Sequence, residues 1–248
     1  MSERPATAVF DLAPTGTLRA AINMANNLLT GKDPVTGEAR GIAVDLAREL
    51  GERLGVPVQI VEFPSPGTLA DAATTGVWNV GFIGAEPQRA KDIDFTAAYL
   101  EIEATYLVPP GSPLRTIAHV DREGVRIAVL GRSAYELYLS RSLKNAKLVL
   151  ESGFDSTFQR FVADKLDALA GLRAQLVCDA EKLPGSRILE GRFTAVQQAI
   201  GTPKGRDAGA RYLCEFVENV KATGLVAKII QNNGIRGVSV ASPAPPYA

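Results

Sequence analysis

Apolar positions along the chain follow two alternating periods. TLRAAI (17–22) is a short apolar run and reads as a buried strand. In IAVDLARELGERLG (42–55), Val44, Leu46, Leu50 and Leu54 recur near helical spacing and Gly55 supplies the stop. VPVQIVEF (56–63) reads as a strand, TLADAATTG (68–76) as a short helix and WNVGFI (78–83) as a strand again. This β-α-β-α-β order predicts an α/β fold with a mostly parallel, doubly wound sheet. The loop NMANNLLTGKDPVTGEARG (23–41) is too rich in polar turn formers to bury.

FTAAYLEIEATYLVPPG (95–111) is extended, β-rich and ended by two prolines, as expected of a strand that leaves one lobe for another. The alternation then restarts through GVRIAVL, SAYELYLSRSL, AKLVLE, DSTFQRFVAD, LDALAGL and RAQLVCDAEKL. RFTAVQQAIG (192–201) is again extended, PKGRDAGARYLCEFVENVKATG is a capped amphipathic helix, and LVAKIIQNNG is a last one. The expected organisation is two α/β lobes joined by two hinge strands: 1–107 as the first part of lobe 1, 108–196 as lobe 2, and 197–236 as the return part of lobe 1. The Pro-rich tail, 237–248, is expected to lie as a loose strap on the surface.

Composition narrows the function classes. The 248 residues are 46% hydrophobic and 22% charged, with 27 basic and 27 acidic side chains. A formal net charge of zero gives no global field for nucleic acid or an anionic membrane, so no nucleic-acid partner is expected and specificity must come from a local site. No apolar run reaches the roughly 18 to 20 residues that span a bilayer. The opening MSERPATAVFDLAPTG lacks the basic-then-apolar pattern of a secretory leader. As written, the chain reads as cytoplasmic, with Met1-Ser2 as its start.

Cys178 and Cys214 are the only cysteines, there is no CxxC, and the single histidine, His119, lies in a polar connection. That set predicts no metal site and no cofactor. The two cysteines are expected as buried, reduced thiols, with a disulfide between two elements of an exported protein as the alternative.

Ligands of open α/β sheets lie beyond the carboxyl ends of the strands, and two hinged lobes place those ends in an interlobe cleft. The candidate strand-end residues are therefore Asn23 with Asn26, Ser65 to Gly67, Gly84 to Arg89, Gly131 to Tyr135 and Gly171 to Arg173. Within GFIGAEPQRAKDIDF (81–95), Glu86 and Arg89 stand three apart behind a glycine and around a proline.

Four blocks, in order and across nearly the whole chain, resemble the type II solute-binding proteins of ABC importers, in the polar amino-acid-binding branch (bacterial extracellular solute-binding protein family 3). They are RGIAVDLARELGERLGVPVQIVEF; RAKDIDFTAAY; VRIAVLGRSAYELYL; and QQAIGTPKG followed by FVENVKATGLVAKII. The resemblance implies a type II periplasmic-binding-protein fold, a ligand in the interlobe cleft and no catalytic residues. It also implies a monomer, an ABC permease partner and a periplasmic location.

The resemblance carries site roles position by position. Arg89 stands where the family's arginine clamps the ligand's α-carboxylate, a task that suits the guanidinium fork; otherwise it is a solvated first-turn arginine. A helix starting near Pro87 would add backbone N–H donors to the same anion. Gly84 matches the glycine whose carbonyl meets the ligand's amino group. Glu86 lies in a shortened segment where relatives carry a threonine, and either binds a cationic ligand group, orients Arg89 or serves a helix dipole.

In the second lobe Ser133, with Ala134 beside it, falls at a hydroxyl position that bonds the carboxylate, or is a helix N-cap. Leu172 replaces the family's aspartate for the α-ammonium. Arg173 follows it, either facing the cleft or as a surface helix-start residue. Asn23, Asn26 and Pro66 stand where relatives carry an acid and aromatics, which makes the pocket more polar, and Tyr135 is a wall or core packing.

The reading is a small-carboxylate-binding protein, for an amino acid or related organic acid, that closes by hinge motion. Two alternatives remain open at this stage. One is a cytoplasmic ligand sensor of the same fold. The other is a lyase resembling cyclohexadienyl dehydratase, with Glu86 as general acid.

Overall fold

The computed structural model describes residues 6–244. In chain order its regular elements begin with α1 (Ala6–Leu12), β1 (Leu18–Asn23), the hairpin β2 (Gly31–Lys32) and β3 (Ala39–Arg40), α2 (Ile42–Leu54), β4 (Val58–Phe63), α3 (Pro66–Asp71), β5 (Val80–Gly84) and β6 (Ile93–Phe95). There follow β7 (Leu100–Val108), β8 (Arg126–Leu130), α4 (Ala134–Ser142), β9 (Lys147–Glu151), α5 (Phe154–Ala163), β10 (Ala168–Leu172), α6 (Arg173–Lys182) and β11 (Arg187–Ile188). The chain closes with β12 (Thr194–Pro203), α7 (Asp207–Ala222), α8 (Leu225–Asn232) and β13 (Val238–Val240). It divides into two compact units, residues 1–101 with 197–248, and residues 102–196, and passes between them within β7 and β12.

The first unit is built on the strand order β4-β1-β5-β12, with β6 paired to β12. β1 runs parallel to both β4 and β5, whereas the returning β12 is antiparallel to β5, with Gln198 opposite Gly84 and Gly201 opposite Gly81. All five residues of β5 are buried, as expected of a central strand covered on both faces. The fully buried Trp78 packs with Leu69, Ile83 and Ile93, and its indole N–H donates to the Leu69 carbonyl at 3.2 Å, so the ring's one polar group is satisfied. α2 buries Ile42, Val44, Leu46, Leu50 and Leu54 on one face, and Gly55 ends it in the left-handed conformation (φ 68°).

The second unit has the order β7-β10-β8-β9, with β11 also paired to β7. β10 is parallel to β8 and antiparallel to β7. Phe161, Leu166, Leu169 and Leu176 fill the layer between sheet and helices with Leu107 and Ala128.

Two features go beyond or against the sequence expectation. The opening segment forms a helix, α1, which packs on α7, and Asp11 Oδ2 accepts the Gly209 N–H at 2.9 Å. The tail is not loose: Val238–Val240 is a strand, Ala241 N donates to Tyr99 O, and Lys221 Nζ reaches Ser242 O at 2.9 Å. Residues 1–5 and 245–248, including the Met1-Ser2 start, lie outside the described residues.

One half-buried carboxylate organises a loop of the second unit. Asp121 accepts the backbone N–H groups of Lys144, Asn145 and Ala146, and these bonds hold its carboxyl below the usual 3.8. A depressed folded-state value means stability that is fully present above pH 3.8 and lost as pH falls through the lower, folded value. Urea midpoints measured between pH 2 and 6 should therefore fall less steeply with acidification in Asp121→Asn than in wild type; parallel curves would contradict this role.

Candidate functional site

At the carboxyl end of β5 the chain turns sharply. Glu86 O accepts the N–H of both Arg89 (2.9 Å) and Ala90 (3.1 Å), and only a 3₁₀ turn over Arg89–Lys91 follows. The helix expected from Pro87 does not form. Its first N–H groups are instead taken up by this tight turn, and β6 begins two residues later, which leaves no room for the turn to propagate into a helix.

The turn swings Arg89 back over the strand. Its side chain is only 6% exposed, and Nη1 donates to the Gly84 carbonyl at 2.6 Å. Arg89 is thus not a solvated first-turn residue. It joins the two positions that the sequence assigned separately to a ligand carboxylate and a ligand amino group. Glu86 is half-buried beside them.

The first loop is pinned by its asparagines. Asn23 Oδ1 accepts Ala25 N, and the buried Asn26 accepts Leu28 N through Oδ1 and Thr30 N through its carbonyl. Thr30 Oγ1 donates to both Asn23 O and Asn26 O. Pro66 is buried at the first position of α3, behind Ser65, whose hydroxyl caps Thr68 N.

In the second unit the corresponding mouth lies after β8. Ser133 caps α4, its Oγ accepting Glu136 N at 3.1 Å, and Ala134 opens the helix. The same hydroxyl also hydrogen-bonds the Tyr135 phenol, so it must exchange that partner to donate to a ligand. Arg132, immediately before, has φ 61°, a conformation that non-glycine residues adopt sparingly and that concentrates at functional turns.

The buried Glu136 fixes that turn: Oε2 accepts Arg132 N at 2.8 Å and Oε1 accepts the Ser140 hydroxyl. The S-x-x-E spacing, Ser133 to Glu136, is the signal from which this support was legible. Tyr135 is 4% exposed and belongs to the core, where burial pushes its phenol well above the usual tyrosine range.

Leu172, the last residue of β10, is buried and occupies the N-cap position of α6 without a side-chain cap. Arg173 pairs through Nε with Glu103 Oε2 at 2.7 Å and also bonds Gly191 O, while Arg192 lies 3.8 Å from the same carboxylate. Glu103 was not singled out from the sequence; alternation along β7, which puts Glu101 and Glu103 on one face, was the available signal. Cys178 is exposed rather than buried and Cys214 is half-buried, and neither is in a disulfide. Cys178 sits on the outward face of α6 next to exposed Val177, which is why the apolar run preceding it did not bury it.

Among the described residues no cluster of His, Cys, Asp and Glu could hold a metal ion, and no helix is long and apolar enough to cross a membrane.

Two doubly wound α/β units, the first completed by a chain that leaves and returns through β7 and β12, define the type II periplasmic-binding-protein fold. The family model for bacterial extracellular solute-binding proteins, family 3, matches residues 21–234, and the chain belongs to that family. It is 21% identical over 197 residues to the ABC transporter glutamine-binding protein GlnH of Bacillus subtilis (strain 168), covering 78% of this chain and 72% of the relative.

Two solved structures show the fold. An ancestral amino-acid-binding protein, a precursor of cyclohexadienyl dehydratase, superposes with a TM-score of 0.74 at 22% identity, covering 92% of this chain and 99% of that one. An amino acid ABC transporter substrate-binding protein from Streptococcus pneumoniae, bound to L-arginine, gives 0.73 at 18% identity, covering 94% and 99%.

Proposed function

We propose that the protein is the solute-binding component of an ABC-type importer, working outside the cytoplasmic membrane, and that it takes a small carboxylate-bearing solute, an amino acid or related organic acid, by hinge closure. The observation that carries this reading is Arg89: a guanidinium that is 6% exposed at a strand mouth, oriented by the Gly84 carbonyl. A preoriented arginine loses little freedom when it pairs with a carboxylate. Ser133 and Ala134 supply a hydroxyl and a helix start for the same group, and Asn23, Asn26 and Pro66 shape the polar first loop.

The other end of the ligand is governed by departures from the family pattern. With Leu172 in the place of an acid, the usual partner for an α-ammonium is missing, and Glu86 is the carboxylate near Arg89 that takes over or excludes a cationic group. Arg173, tied to Glu103, acts on the ligand only after exchanging that partner. Thermal-shift screening against amino acids and organic acids tests the reading. A solute present at about 100 times its Kd should stabilise by roughly 2.7 kcal/mol, and a panel of both classes that gives no shift at millimolar concentration would remove it.

A further inference from the structure

A second set of charged side chains lies in the first unit at the opposite end of β5 from Gly84. The turn before β5, the entry to β6 and the exit of β12 enclose a half-open cavity of about 290 Å³ there, lined among others by Thr74, Lys91, Asp92, Lys204 and Arg206. Its walls are fixed by backbone pairing: Pro203 stands opposite Ile93 in the β6–β12 ladder, and Lys204 N donates to Asp92 O at 3.0 Å.

Three cations against one carboxylate give this cavity a net charge of +2, in a chain whose formal charge is zero. Arg206 is half-buried over the Asn79 carbonyl, to which its Nη1 donates at 3.3 Å. Its guanidinium is held below its ordinary range first by burial and then by the nearby positive charge of Arg19. Arg19 in turn spends Nε on Asn79 Oδ1. Two neighbouring guanidiniums therefore rest on one neutral asparagine, and the Asp11 carboxylate nearby offsets the cost of their burial and repulsion only in part, which leaves room for a further anion. Lys204 has an exposed partner in Asp94 at 3.4 Å, an interaction weak enough to be exchanged.

The structure assigns to this cavity a second, small-anion site, for a compact oxyanion with two or more negative charges, separate from the solute site at Arg89. Arg206 forms its half-buried base, Lys91 and Lys204 its mobile rim, and the Thr74 hydroxyl an additional donor. The net positive lining favours multiply charged anions over singly charged ones, and Asp92 reduces that attraction without reversing it.

The test is titration of the full chain with inorganic phosphate, and separately with citrate, at constant ionic strength in chloride, followed by amide NMR. Saturable shifts centred on Thr74, Lys91 and Lys204 are expected; the arm that saturates at lower concentration identifies a phosphate-type or polycarboxylate ligand. The exposed-site double variant Lys91→Gln/Lys204→Gln should weaken saturation by about tenfold, and Arg89→Lys should leave it unchanged. Shifts that do not saturate, that persist unaltered in the double variant, or that centre on residues 84–89 would overturn the assignment. Loss of saturation at Thr74, Lys91 and Lys204 leaves the solute reading standing, since that reading is tested by the thermal-shift screen and by the Arg89 variants.

Discussion

Arg89→Ala should weaken solute binding by roughly 2 to 5 kcal/mol, about 30- to 5,000-fold in Kd, because it leaves a desolvated carboxylate without its charged partner. The measurement is titration calorimetry with the strongest solute from the thermal screen. Since Arg89 is also buried and bonded to Gly84 O at 2.6 Å, the alanine variant loses a structural contact as well. Arg89→Lys separates the two: it retains the positive charge and loses the planar fork, so binding should fall by an intermediate amount while the unfolding midpoint stays near wild type. Unchanged affinity in both variants would sink the anchor role.

This residue also shows how far the sequence reaches. Its place after an all-apolar strand, and the RAKDIDFTAAY block around it, make a strand-mouth arginine legible. Its burial was not, because burial depends on a 3₁₀ turn in which Glu86 O collects two N–H groups, and on a carbonyl five residues back. Local pattern predicted a helix at Pro87; the short distance to β6 imposed a tighter turn.

The same contrast runs through the fold. Segments whose apolar period is strong, such as α2 and β5, appear within a residue or two of their expected bounds. Elements held by distant partners carry no such period. α1 is held by α7, with Asp11 bonding a residue 198 positions away, and β13 belongs to a tail whose prolines suggested a loose strap. The Arg173–Glu103 pair has the same character: seventy residues separate its members, and either one alone reads as an ordinary surface charge. In the second unit, by contrast, the local S-x-x-E spacing around Ser133 foretells the cap that forms.

Gly41→Ala is the substitution expected to cost most in stability, because Gly41 joins the best-read helix to the least regular loop. Its φ is +116°, a region that side-chain-bearing residues rarely enter, and a Cβ there would stand 2.5 Å from Leu29 O and 2.9 Å from Thr30 Cα. Both obstacles are backbone, so neither can rotate away. The Leu29 carbonyl is moreover the acceptor for Ala43 N at the start of α2. Relief therefore requires the loop and the helix N-terminus to part, at about 2 to 5 kcal/mol for strain and crowding combined. Urea unfolding should show the midpoint lowered with the slope retained; a wild-type midpoint would mean that the loop yields freely. Because Thr30 Oγ1 ties this segment to the carbonyls of Asn23 and Asn26, the displacement should reach the first-loop asparagines. Solute affinity should then fall together with stability, whereas Arg89→Lys lowers affinity alone.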